Sequence, residues 1–356
     1  MKILGIETSC DETACAVLDI EKDKITVFSS VVSSQVKIHR KFGGVVPHLA
    51  AREHEKNLPR VLKMALKKAE IKNIKKDIAL IAVTRGPGLA PALWRGVNFA
   101  KELAKKETKP LVGVNHLEGH IYSNWLKPIG IKSEIKYGFP ALNLIVSGGH
   151  TMLVLMKDYG NYKLLGETRD DAAGEAFDKI ARLLNLGYPG GPAIAQRVVK
   201  FKVKSLKLKV LKIIFPRPMI NSKDYDFSFS GLKTSVLYKV RDFKNQKIKL
   251  TKNLINQICH EAQQAIIDVL IKKTIDAAKE FKAKSIMLSG GVSANKELRS
   301  QLEIAVKKIG VPYFKPELQY TTDNAAMIAL AGYFSWLKNK KTDKESAIDV
   351  DANLGF

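Results

Sequence analysis

Apolar and polar positions follow two rhythms along this chain. Short apolar runs closed by small polar residues predict strands at 3–6, 14–20 and 25–33, and again at 80–84 and 111–114. Between them the period lengthens. Leu58, Val61, Leu62, Ala65, Leu66 and Ala69 share one stripe of a helix predicted over 52–70, with lysines on the opposite face. The turn Arg85-Gly86-Pro87-Gly88-Leu89 opens a second helix reaching about Lys106. Strands and helices in alternation predict an α/β fold.

The polar stretch 128–140, with Gly130, Gly138 and a proline at each end, is the predicted boundary, dividing the chain into 1–127 and 128–356. The second part repeats the scheme of the first. Residues 143–156 read as strand, small polar turn and strand, the turn being Ser147-Gly148-Gly149-His150. Residues 285–295 read as a strand and the turn Ser289-Gly290-Gly291-Val292-Ser293-Ala294-Asn295, which leads into a helix to about Ile309. The first hairpin carries a third polar tip, Glu7-Thr8-Ser9-Cys10-Asp11-Glu12-Thr13. Bare glycines after a strand let backbone amides approach a phosphate, and a helix N-terminus adds partial positive charge. These turns predict a duplicated nucleotide-binding lobe, with ordinary tight turns as the alternative. Further helices are predicted over 173–185, ended by Gly187-Tyr188-Pro189-Gly190-Gly191-Pro192, over 253–281, and from Thr322-Asp323-Asn324 to about Trp336.

Composition narrows the class. With 356 residues, 46% of them hydrophobic, the chain can bury a sizeable core. No apolar run approaches the ~18 residues that would span a bilayer, and the stretch before Glu7 is too short for a signal-peptide core. Cys10, Cys15 and Cys259 show no metal-type pairing, as expected in a reducing cytoplasm. A net charge of +24 calls for a polyanionic partner, or else reflects lysines dispersed over a solvated surface. The most basic segment, 196–215, carries Lys200, Lys202, Lys204, Lys207, Lys209 and Lys212; strand and helix periods compete in it. It reads as an RNA-facing flap or a solvated insertion, with Phe201 its one aromatic before Phe215.

Chemistry concentrates first in Val114-Asn115-His116-Leu117-Glu118-Gly119-His120. Asn115 can cap a helix on which His116 and His120, four apart, share a face. Two such histidines offer half of a metal's ligands, a carboxylate from elsewhere commonly completing the set; the alternative is a helix start with one histidine bonded to backbone and one solvated. A zincin requires Glu directly after the first histidine, and Leu117 stands there. Asp178, beside the glycine-rich loop, can take a substrate hydroxyl or amine, or can simply offset a helix dipole.

Together these motifs resemble the tRNA adenosine threonylcarbamoyltransferases, the TsaD family, once called glycoproteases. The resemblance spans nearly the whole chain: Glu7 to Thr13, Asn115 to His120, Val146-Ser147-Gly148-Gly149-His150-Thr151, Gly174-Glu175-Ala176-Phe177-Asp178-Lys179, Tyr188 to Pro192, Phe215-Pro216-Arg217-Pro218, Phe227-Ser228-Phe229-Ser230-Gly231-Leu232-Lys233, Ser289 to Asn295, and Thr322-Asp323-Asn324-Ala325. The Ser9-Cys10-Asp11-Glu12-Thr13 start is of the bacterial type. Two departures stand out: His48 follows Pro47 where the family has Glu, and the lysine-rich stretch 200–212 differs from a shorter, more polar connection.

The resemblance implies a two-lobed actin-like and sugar-kinase fold with duplicated lobes, a central nucleotide cleft and a last helix, about 323–338, packing back toward the first lobe. It implies that His116, His120 and Asp323 hold one divalent metal, iron or zinc, and that Ile145, Val146, Ser147, Gly148, Gly149, Asp178, Gly191 and Asn295 surround an adenylate. The implied reaction moves threonylcarbamoyl from threonylcarbamoyl-AMP to N6 of the adenosine beside the anticodon (position 37), in tRNAs reading codons that begin with A, and releases AMP. Asp11, at the first hairpin tip, is the candidate proton acceptor, with His150 as the other. Implied partners are tRNA, a TsaB-like paralogue as heterodimer, a TsaE-like ATPase and a TsaC-like synthase, with no membrane. The rivals are a small-molecule kinase of the same fold and a non-catalytic tRNA-binding scaffold.

Overall fold

The computed structural model describes residues 1–22, 24–134, 138–204, 213–339 and 348–356. The chain forms two units. Unit 1 comprises Met1–Gly138, Met156–Tyr162 and Lys315–Phe356; unit 2 comprises Phe139–Leu155 and Lys163–Phe314.

In unit 1, β1 (Lys2–Glu7), β2 (Glu12–Glu21), β3 (Lys24–Ser34), β4 (Leu80–Gly86), β5 (Leu111–Asn115) and β6 (Lys132–Glu134) form a sheet in the order β5-β4-β1-β2-β3-β6. β1 runs antiparallel to β2 and parallel to β4, which runs parallel to β5. Alternation along β1 sorts its side chains between the two faces. Leu4 and Ile6 join Leu58, Val61 and Val97 in a core beneath the helices Pro47–Lys68 and Ala90–Glu107. Gly5 faces the other way, against the Ala325–Asn339 helix; a Cβ at Gly5 would lie 2.1 Å from the Ala325 carbonyl oxygen. That helix therefore lies directly on the sheet, and the two residues before it are brought to the strand ends. The first long helix starts at Pro47 rather than near Arg52, because proline in the opening turn needs no hydrogen-bond partner for its nitrogen.

In unit 2, β7 (Ala141–Val146), β8 (Thr151–Asp158), β9 (Asn161–Glu167), β10 (Ser285–Ser289) and β11 (Tyr313–Phe314) take the order β11-β10-β7-β8-β9. β10 is parallel to both β7 and β11. The strand order repeats β5-β4-β1-β2-β3 of unit 1, so the duplicated scheme holds at the level of topology. Its core joins Leu142, Leu144 and Leu288 to Phe177, Phe227 and Phe229 and to Ile258, Ile266 and Leu270 of the Lys252–Glu280 helix. Thr251 caps that helix, its Oγ accepting from the Leu254 amide at 3.3 Å. The glycine loop expected at 187–192 ends one helix but also starts another, Gly190–Lys204. Of the lysine-rich stretch, 205–212 lies outside the described residues, as do the side chains of 202–204. No described helix is long and apolar enough to cross a membrane.

Candidate functional site

Asn115 ends β5 and caps the His116–Tyr122 helix: its Oδ1 accepts from the Leu117 amide at 2.8 Å and its Nδ2 donates to the Gly355 carbonyl at 2.8 Å. His116 and His120 then stand one turn apart, both buried, with ring centroids 4.6 Å apart. Gly119 lets the far helix approach: a Cβ there would come within 2.9 Å of Ile328 Cδ1 and 3.1 Å of Met327 Cγ. Asp323 precedes that helix, whose first turn is capped by Asn324 through the Met327 amide at 3.0 Å. Its Oδ1 lies 3.4 Å from His116 Nε2 and 3.3 Å from His120 Nε2. One ligand atom from each of the three falls within 4.8 Å of the others, and Asp323 keeps 21% of its side chain exposed, so the set is reachable from solvent. Two imidazoles and a carboxylate converging in this way are a donor set for a divalent transition metal.

Charge is concentrated here. Burial disfavours a proton on His116, but Glu7 and Asp323, at its two ring nitrogens, outweigh it and raise its pKa to about 10. Burial likewise opposes the Asp323 carboxylate, yet His116 and His120 hold it far below the ordinary range. His120 is pushed down, chiefly by burial. Glu7, fully buried, takes His116 Nδ1 at 2.9 Å, the Thr84 hydroxyl at 2.6 Å and the Ser9 amide. Asp11 is buried on the same unit, its Oδ2 without a partner among the described residues. Its neighbour Glu12 has its pKa raised to about 10 by burial and by the charges of Asp323 and Asp11. Sequence reasoning missed Glu7, Thr84 and Glu12. The available signal was a carboxylate closing an otherwise apolar strand, Ile3-Leu4-Gly5-Ile6-Glu7.

The other expected residues belong to unit 2. Ile145 and Val146 are buried at the end of β7. Ser147 and His150 close a tight turn: the Ser147 amide donates to the His150 carbonyl at 2.8 Å, and the His150 amide to Ser147 Oγ at 3.0 Å. Cβ atoms at Gly148 and Gly149 would meet nothing within 4 Å. The Ala173–Leu183 helix starts against this turn, Gly174 so close that a Cβ would lie 2.4 Å from the Ser147 carbonyl oxygen. Gly290, at φ +85°, brings the β10 turn equally close to Val146. Asp178 Oδ1 accepts from the Gly190 amide at 2.6 Å, tying the Gly190–Lys204 helix start, while Gly191 faces open space. Asn295 caps the Lys296–Lys308 helix through the Glu297 and Leu298 amides at 3.0 and 3.1 Å, and its Nδ2 donates to Gln263. Both polar side chains are thus engaged within the fold.

A family model described as TsaD, tRNA N6-adenosine threonylcarbamoyltransferase, matches residues 26–330. The chain belongs to this family. The enzyme of that name from Thermosipho melanesiensis is 48% identical over 353 residues, covering 99% of this chain and 98% of its own. That from Dictyoglomus turgidum is 45% identical, covering 100% and 99%. Among solved structures, the crystal structure of T. kodakarensis HypF superposes with a TM-score of 0.57 over 97% of this chain and 48% of that one; at 15% identity the likeness concerns the fold alone. As a TsaD-family member the chain is an acyltransferase of tRNA modification, forming threonylcarbamoyladenosine on the actin-like and sugar-kinase fold. The kinase and scaffold alternatives are not favoured.

Proposed function

We propose that the chain transfers threonylcarbamoyl from threonylcarbamoyl-AMP to N6 of adenosine 37 in tRNAs reading codons that begin with A. The adenine N6 attacks the carbamoyl carbon; the new C–N bond forms as the C–O bond to phosphate breaks, and AMP leaves. An exocyclic adenine amine is a weak nucleophile, so the mixed anhydride must activate the acyl group and the site must align the two reactants. Asp11 takes the N6 proton: its buried Oδ2, without a partner among the described residues, supports that role. Backbone amides of Gly148 and Gly149 take the adenylate phosphate, with Ser147 and Gly191 flanking it, since no side chain crowds those glycines. Ile145 and Val146 back this turn, while Asp178 and Asn295 hold the helix starts beside it.

The convergence of His116, His120 and Asp323 carries this reading. These three would hold one divalent ion, Fe2+ by preference over Zn2+, which when bound supplies Lewis-acid polarisation of a substrate oxygen. The reading extends to a bacterial-type cytoplasmic system with a TsaB-like paralogue, a TsaE-like ATPase and a TsaC-like synthase. The test supplies purified threonylcarbamoyl-AMP and tRNA, with these partners, and measures modified nucleoside by mass spectrometry. Product from wild type, with Asp11→Asn at least a hundredfold slower, is expected; normal transfer by Asp11→Asn rules out Asp11 as the acceptor. No product from metal-loaded wild type would overturn the reading itself.

A further inference from the structure

We infer that Glu7 is a positioning residue for the metal centre, fixing His116 with its proton on Nδ1 and its lone pair on Nε2. The inference rests on the metal reading above and extends it to one asymmetry between the two histidines. Among the described residues, every hydrogen bond of the Glu7 carboxylate is with a potential donor: the Thr84 hydroxyl at 2.6 Å, the Ser9 amide, and His116 Nδ1 at 2.9 Å. An ionised carboxylate can only accept, so the imidazole nitrogen facing it carries the hydrogen. In the neutral ring this leaves Nε2, the nitrogen facing Asp323, as the metal-binding atom. Ser9 Oγ, 3.3 Å from the same Nδ1, is the more distant neighbour.

His120 has no such support. Its Nδ1 is buried without a hydrogen-bond partner among the described residues, while its Nε2 also faces Asp323. One ligand is therefore held from behind by a carboxylate and the other is not. Glu7 also adds a second negative charge behind the site, so that Glu7 and Asp323 together balance a divalent cation in a buried setting. Thr84 and the Ser9 amide hold Glu7 itself, which makes β1 and β4 the rigid support of His116.

The experiment titrates Co2+ into chelator-stripped wild type, Glu7→Gln, Thr84→Val and His120→Ala, reading the visible absorption band and the dissociation constant by competition. Wild type is expected to bind one ion, and His120→Ala to lose the band. Glu7→Gln should still bind one ion, with affinity lower by about 10- to 100-fold and an altered band, as removal of an outer-sphere partner does. Thr84→Val should shift affinity the same way by less. Wild-type affinity and spectrum in folded Glu7→Gln would overturn the inference while leaving the metal reading intact. Should Glu7→Gln fail to fold, unchanged Co2+ binding by Thr84→Val would overturn it instead. Absence of His120-dependent Co2+ binding in wild type would remove the metal reading and this inference together.

Discussion

Units 1 and 2 share a strand order but present different chemistry at their strand ends. In unit 1 the ends carry ionisable side chains that face one another: His116, His120, Asp323 and Glu7, with Asp11 nearby in the chain's first hairpin. In unit 2, Ser147 Oγ, Asp178 Oδ1 and Asn295 Oδ1 all accept from main-chain amides, and the positions left open are glycines. One copy of the scheme offers side-chain charge; the other offers bare backbone. Function should therefore fail in unit 1 when a side chain is removed, and in unit 2 when one is added.

The largest effect should come from unit 1. Asp323→Asn is expected to abolish stoichiometric metal and to slow transfer by at least about a hundredfold, measured by metal analysis and nucleoside mass spectrometry; full activity in a metal-free preparation would end the comparison. In unit 2, Gly149→Val places a side chain in open space. It should raise the apparent KM for the acyl-adenylate roughly tenfold while leaving denaturant stability unchanged. Gly174→Ala instead forces a Cβ against the Ser147 carbonyl and should cost about 1–3 kcal/mol of stability. Asn295→Ala should cost about 1 kcal/mol through the lost helix cap; a large rate loss without a stability loss would instead give its side chain a direct contact with substrate.

The smallest effect concerns Asp170, which sits at the start of the Ser230–Asn245 helix. Burial is the largest single influence and opposes its charge, but the Ser228 and Ser230 hydroxyls and the Phe229 and Ser230 amides together outweigh it and lower its pKa. A carboxyl more acidic when folded contributes stability above the unfolded value of about 4, and that contribution disappears as pH falls through the folded value. Asp170→Asn should thus be less stable than wild type at neutral pH, with the gap closing in acid. A gap independent of pH would show that charge has no part in the cap.

What was legible in the sequence was local. The His116–His120 spacing and the Asn115 cap are short-range geometry, and β1 to β5 announce themselves through apolar runs. Asp323 entered only by resemblance, because nothing in its own neighbourhood points to His116. Glu7 stands out locally as a carboxylate closing an apolar strand, but its role was hidden for the same reason: its partner lies 109 residues away. Asp178 and Asn295 show a different limit of local reading. A polar residue beside a glycine turn reads equally as ligand or as part of the fold, and only the structure adds that the amides of Gly190, Glu297 and Leu298 donate to these side chains.

Unit 1 is assembled from segments on either side of unit 2, and Asp323 arrives with the last of these segments. At ribosomal rates of about 5–20 residues per second, the segment between Gly138 and Lys315 takes on the order of ten to thirty seconds to emerge. During that interval β1 carries Gly5 without the Ala325 helix that covers it, and the two histidines lack their carboxylate. The three proposed ligands therefore come together only after residues 139–314 have emerged, so metal loading would report on synthesis past Asp323.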